Sequence, residues 1–165
     1  MSAIADQPVT MRNTLVGPIV VAGLIIAVLR QLDVFVVFSL VLKVPYVVLL
    51  QFIASGLLGP AAFAGGLGSA LLGLMLHVLF SLVIAAVFML AATRLPVLRR
   101  NLIFGGPLYG IVVYFVMNFV VTPLSAAPPP EGITLAVIGE GIIGHALLIG
   151  LPLAFIARRN INDGM

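Results

Sequence analysis

At 165 residues, 62% of them hydrophobic and only 8% charged, the chain carries about a third of the charge of an ordinary soluble domain, so lipid must be the solvent for most of it. The absence of cysteine excludes disulfides, thiol nucleophiles, thiolate zinc sites and iron–sulfur clusters. A net charge of +3 with no patch of interleaved basic and aromatic residues excludes nucleic acid as a partner.

The expected fold is all-α: one transmembrane domain over residues 1–165, built as an integral membrane bundle of four helices plus one interfacial or re-entrant helix. Residues 1–13 are short and polar. Arg12 then precedes an apolar run as it would in a signal peptide, but no small-residue cleavage site follows, so the run reads as an uncleaved anchor. The first span covers 15–42, interrupted only by Arg30-Gln31-Leu32-Asp33 and ended by Lys43 and Pro45. As continuous helix it would measure ~42 Å against a ~30 Å hydrocarbon core, so it must tilt or project.

Residues 46–59 lie between Pro45 and Pro60 and hold Gln51, Ser55, Gly56 and Gly59. A helix between those prolines covers only ~21 Å, too short to cross comfortably. An interfacial or re-entrant placement fits better, followed by the small-residue hinge Ala61-Ala62-Phe63-Ala64-Gly65-Gly66. Three further spans are expected at 68–92, 102–121 and 133–157, with the stiff Pro128-Pro129-Pro130 between the last two.

Positive charge orients the bundle. With four spans, Arg12, the Arg94/Arg99/Arg100 loop and Arg158/Arg159 share one face, and only Lys43 lies opposite. A fifth crossing at 46–63 would exchange Arg12 for Lys43 and leave the asymmetry unchanged, so charge alone does not choose between the two topologies. Either way the 94–100 loop and the C-terminus read as cytoplasmic, in a bacterial inner membrane. The N-terminus is cytoplasmic in the four-span reading.

Ionisable groups inside spans are costly and raise a functional hypothesis by default. Counted from the basic face at about 1.5 Å per residue, Arg30 falls at ~24 Å and Asp33 at ~28 Å, with His77, Asn118 and Glu140 all near ~25 Å. This polar layer of Arg30, Asp33, His77, Asn118 and Glu140 is the candidate site, and no residue is assigned a catalytic role. His145 falls shallower, at ~18 Å. Arg30 and Asp33, three residues apart, either pair with each other while Arg30 snorkels, or Asp33 turns inward to meet His77. Glu140 has no partner on its own helix and is the leading candidate for a functional carboxylate.

Small and polar residues recur at four-residue spacing along Gly65, Ser69, Gly73, His77, Ser81, Ala85 and along Gly106, Gly110, Tyr114, Asn118, Thr122. They read as packing seams glued by hydrogen bonds, or as the wall of a solute or proton path. Glycine-rich faces of this kind could equally join copies into a homo-oligomer. A haem between His77 and His145 is a weak candidate because their depths differ. No other cofactor and no metal site is expected. Gly139-Glu140-Gly141-Ile142-Ile143-Gly144 matches G-x-G-x-x-G, but it lies in an apolar helix rather than after a strand, so it reads as close-packing glycine.

The strings IASGLLGPAAFAGG (53–66), LGLMLHVLFS (72–81), RLP (94–96), GPLYGIVVYFVMNFVVTPLSA (106–126) and GHALLIGLP (144–152) resemble a group of small uncharacterised bacterial inner-membrane proteins, distantly the YagU-like proteins. The resemblance implies a four-helix membrane protein and brings no substrate or catalytic residue with it. Two functions stay open: a structural or interaction protein held by its buried polar layer, and a small transporter or proton-coupled permease component using Asp33, His77 and Glu140. No nucleophile–base pair can be drawn, so no enzymatic activity is expected; beyond further copies of the chain, the partner expected is the lipid bilayer.

Overall fold

The computed structural model describes residues 11–129 and 133–161. The reading of residues 1–10 and of Pro130 lies outside them. Among the described residues the fold is all-α, with five helical stretches long and apolar enough to cross a membrane. Helix α1 is α-helical over Met11–Val34 and widens to a π-helix over Phe35–Val41. Helix α2 covers Tyr46–Leu58 and passes into a 3-10 turn over Gly59–Ala64. Helix α3 is Gly66–Arg94, α4 the single turn Val97–Arg100, α5 Gly105–Leu124 and α6 Leu135–Asn160.

The ends of these helices follow from identifiable residues. Lys43 adopts a left-handed conformation, φ 61°, and the Val44 N–H returns to the Phe38 carbonyl at 2.9 Å. That closes α1 as a left-handed cap does, with Pro45 blocking any continuation. The third span begins at Gly105 rather than Leu102, because the Asn101 side chain accepts the Phe104 N–H at 3.3 Å and holds 102–104 in a turn. Thr134 caps α6 by accepting the Val137 N–H. Two more π-helical stretches occur, Met117–Val121 in α5 and His145–Gly150 in α6. Pro123 and Pro152 follow them closely. A proline has no N–H and its ring crowds the carbonyl four residues back, so widening the preceding turn relieves the clash.

Each long helix turns small residues inward and large apolar ones outward. On α3, Leu71, Met75, Leu79, Val83, Val87 and Leu90 form an exposed lipid-facing stripe. Ser69, Gly73, Ser81 and Ala85 of the predicted seam are buried on the other side. Helices α5 and α6 meet along the glycines: a Cβ on Gly106 would strike the Gly150 carbonyl, and one on Gly110 the His145 carbonyl. The backbones therefore lie in direct contact, the geometry that small residues permit in lipid. At the basic end the bundle is dry and closed, with Ile26, Phe88, Met89 and Leu153 essentially inaccessible among Leu15, Ala92 and Ala157.

Pairing decides the topology. Gly23 of α1 lies against Leu82 of α3, and Ala27 accepts from His77. The two helices therefore run antiparallel, so α1 ends and α3 begins at one face. The connection from 42 to 65 leaves and returns on that face. Despite its apolar length, α2 does not traverse the bundle. It lies across the outer part of α3, where Gly73 admits the Leu50 carbonyl and Gln51 donates to Gly66 O at 3.0 Å and Ser69 Oγ at 3.3 Å. The bundle is thus four spans plus a re-entrant helix. Because the chain lacks cysteine, single cysteines can test this directly. In oriented vesicles, Lys43→Cys and Leu67→Cys should react with an impermeant maleimide from the same side, and Arg94→Cys from the other. Labelling of positions 43 and 67 from opposite sides would mean that α2 crosses.

Candidate functional site

Between the re-entrant helix and the dry core lies a cavity of about 560 Å³, within the size range of small-molecule sites. Its roof is α2, through Phe52, Ile53 and Leu57, together with the 122–127 segment that ends α5. The two parts of the roof are joined where the Ala126 N–H donates to Gly56 O at 3.0 Å, with the Ser125 side chain beside Gly56. The walls are mostly apolar, and Arg30, Gln31, His77 and His145 supply the polar groups at its inner end.

Arg30 is only 8% exposed. Its Nη1 donates to Asp33 Oδ2, one turn away on α1, and lies 3.4 Å from Glu140 Oε1 on α6. The i, i+3 pair expected from the sequence therefore forms, but Arg30 does not snorkel. Glu140 draws it inward, and Arg30 is the cross-helix partner that α6 could not offer to its own carboxylate. Gly144 makes this possible, since a Cβ there would meet Arg30 Nη1 and come within 3.1 Å of Glu140 Oε1 and 3.2 Å of Asp33 Oδ2. Of the glycines in the G-x-G-x-x-G string, Gly144 beds the ionic cluster and Gly141 admits the Tyr114 ring. Gly139 faces open space. One guanidinium thus serves two carboxylates in a low-dielectric setting, where a partnerless charge is far more costly than a paired one.

The histidines do not meet the carboxylates. His77 Nε2–H donates to the Ala27 carbonyl at 3.2 Å, so the alternative Asp33–His77 contact is not formed. His145 Nδ1–H donates to the Gly141 carbonyl at 2.7 Å, and the ring stands edge-on to Tyr114 at 5.3 Å between centroids. As neutral imidazoles, both keep the other ring nitrogen as a bare acceptor. Both histidines line one cavity, which is all that the haem reading gains. Among the described residues no cluster of three or more His, Asp or Glu side chains could hold a metal ion.

No protein-family profile, curated protein or solved structure matches the chain. The cavity therefore has to be read from its own chemistry.

The structure does not bring Asn118 into the polar layer. It is exposed, and its amide donates to the Tyr114 carbonyl of its own helix at 2.8 Å, the local bond that polar side chains make when nothing across the bundle receives them. Asn118→Leu should accordingly change the thermal unfolding midpoint in detergent by no more than about 1 °C, an effect below ~0.5 kcal/mol as for surface substitutions generally. A drop of several degrees would return Asn118 to the interior.

Gln31 and Gly144 were not singled out by sequence reasoning. Gln31 accepts from Tyr46 Oη at 3.0 Å, while its own Nε2 is buried without a partner. The signal for Gln31 was its position beside Arg30 in the polar insert. Nothing in a sequence marks one glycine among 17 as the one beneath an ion pair.

Proposed function

We propose that this protein is a small multi-pass protein of the bacterial inner membrane that binds a small molecule in the cavity beneath α2, as a carrier or permease component, with its basic ends cytoplasmic. The observation that carries the proposal is the asymmetry of the interior. One half of the bundle is a packed apolar core, and the other is a roofed cavity whose inner end holds Arg30 and both histidines. A bundle whose polar layer served cohesion alone would have no need of a cavity of this size, since voids weaken packing. The excess of basic residues on the closed face supports the cytoplasmic assignment, and kinship with the YagU-like proteins remains part of the same proposal.

The test turns on filling the cavity. Ile53→Trp places an indole in the roof, in a chain that has no other tryptophan. If the cavity binds a solute, apolar small molecules should raise the unfolding midpoint of the wild type in nanodiscs, by about 2.7 kcal/mol of stabilisation at a hundredfold excess over Kd. Ile53→Trp should abolish that response. If no solute shifts the wild type and Ile53→Trp is simply more stable, the cavity is a packing defect and the binding proposal fails. For the transport component, Glu140→Gln should abolish solute or proton flux in proteoliposomes while the bundle stays folded. A wild type that moves neither would remove transport from the proposal.

A further inference from the structure

We infer that the cavity accepts an apolar molecule carrying a hydrogen-bond-accepting carbonyl end, which enters from the lipid between α1 and α3 and is held at that end by Gln31 and Arg30. This rests on the cavity being a binding site and adds the chemistry of its occupant.

The first observation is an unpartnered donor where the cavity opens. Gln31 Nε2 is one of two buried side-chain polar atoms without a partner among the described residues, the other being Ser39 Oγ, which lies outside the cavity lining. With the Tyr46 hydroxyl donating to Gln31 Oε1, the Nε2 group is the one left unpartnered. The Gln31–Tyr46 pair brings three N–H and O–H hydrogens and makes a single hydrogen bond. The neighbouring Arg30 directs Nη1 to both carboxylates, and among the described residues its Nε and Nη2 make no hydrogen bond. An unsatisfied buried donor is costly, so a site that keeps Gln31 Nε2 in that state is suited to a ligand that accepts.

Charge narrows the class. Arg30 already faces two carboxylates, so an anionic head would add a third negative group to one guanidinium. A cationic head would meet Arg30 before it met either carboxylate, because Arg30 lines the cavity and Asp33 and Glu140 do not. An uncharged acceptor satisfies the donors and leaves the charge balance as it stands. Apart from the two histidines, Thr122 and Ser125, the rest of the lining is apolar, which suits a hydrocarbon body.

The second observation is a route. A groove of about 350 Å³ runs along the lipid side of α1 and α3, bounded by Leu24, Val28 and Leu32 of α1 and by Leu74 and Val78 of α3. Gln31 and His77 line both this groove and the inner cavity. They form the partition between the two, so a molecule sliding in from the bilayer meets the unpartnered amide at the threshold.

Benzophenone, itself an apolar ketone and a photolabel, tests the inference on the full chain in nanodiscs. Irradiation should label Phe52, Phe80 or Met117 saturably. A long-chain methyl ketone should suppress that labelling about tenfold more effectively than the alkane of equal length, the ratio expected of one buried hydrogen bond. Gln31→Leu should fold at least as stably, since it removes an orphaned donor, and should erase the ketone's advantage. Tyr46→Phe, which frees the Gln31 carbonyl and keeps the donor, should leave it. If ketone and alkane compete equally in the wild type, the carbonyl class is overturned while the cavity reading stands. If labelling is unsaturable and spread over the lipid-facing stripe of α3, both fall.

Discussion

Arg30→Met should destabilise the folded bundle by about 3–5 kcal/mol, the cost of leaving buried carboxylates without their cation. The arrangement at the inner end of the cavity dictates the size of the effect. Arg30 is the cation that Asp33 and Glu140 share, and the side chains of these two carboxylates are each only 19% exposed. Methionine nearly conserves the volume of the stem, so lost packing contributes little. The charge origin can be isolated by adding Asp33→Asn and Glu140→Gln to the same chain. A triple variant without ions has nothing left unpaired and should return to within about 1 kcal/mol of the wild type, because exchanging a whole buried ionic group for neutral residues is often nearly neutral. Equilibrium unfolding in mixed micelles would measure all three states. If the triple variant is as unstable as Arg30→Met alone, the contacts of the planar guanidinium group, and not its charge, hold α1 to α6.

That contrast also shows how far the site was legible in the sequence. Charges in an apolar chain are conspicuous, and helical rise places Arg30, Asp33 and Glu140 at one depth before any coordinates are known. Depth, however, is one coordinate of two. Which way each side chain faces depends on rotation about the helix axis, and the π-helical turns at Phe35–Val41, Met117–Val121 and His145–Gly150 shift that rotation relative to a regular count. Asn118, inside one of these stretches, therefore faces outward although its depth matches. The re-entrant helix was legible for a different reason. Pro45 and Pro60 limit its length, and a length argument survives ignorance of rotation. Its role as the roof of a cavity was not legible, because that depends on Gly56 meeting Ser125 across about 70 residues of chain.

Gly110→Ala should cost about 3 kcal/mol or more, at the upper end of what overpacking does. In an isolated helix the same change would be favourable by about 0.8–1 kcal/mol, so the sign alone is diagnostic. The collision is with backbone: the new Cβ would enter the His145 carbonyl and approach the Ala146 Cα at 2.8 Å. A flexible side chain could swing away, but a helix backbone moves only as a unit, so α5 and α6 must part along the seam that also holds Gly106 against Gly150. Parting them withdraws the α6 wall from the cavity and carries Glu140 away from Arg30. Gly110→Ala should therefore weaken any ligand binding together with stability. Gly139→Ala is the control from the same family of substitutions: no atom lies within 4 Å of its Cβ position, and it should be neutral or slightly stabilising. Thermal unfolding of the two variants side by side would decide the matter. Equal stability would mean that the α5–α6 contact is looser than the backbone approach at Gly110 requires, and with it the wall on which the cavity depends.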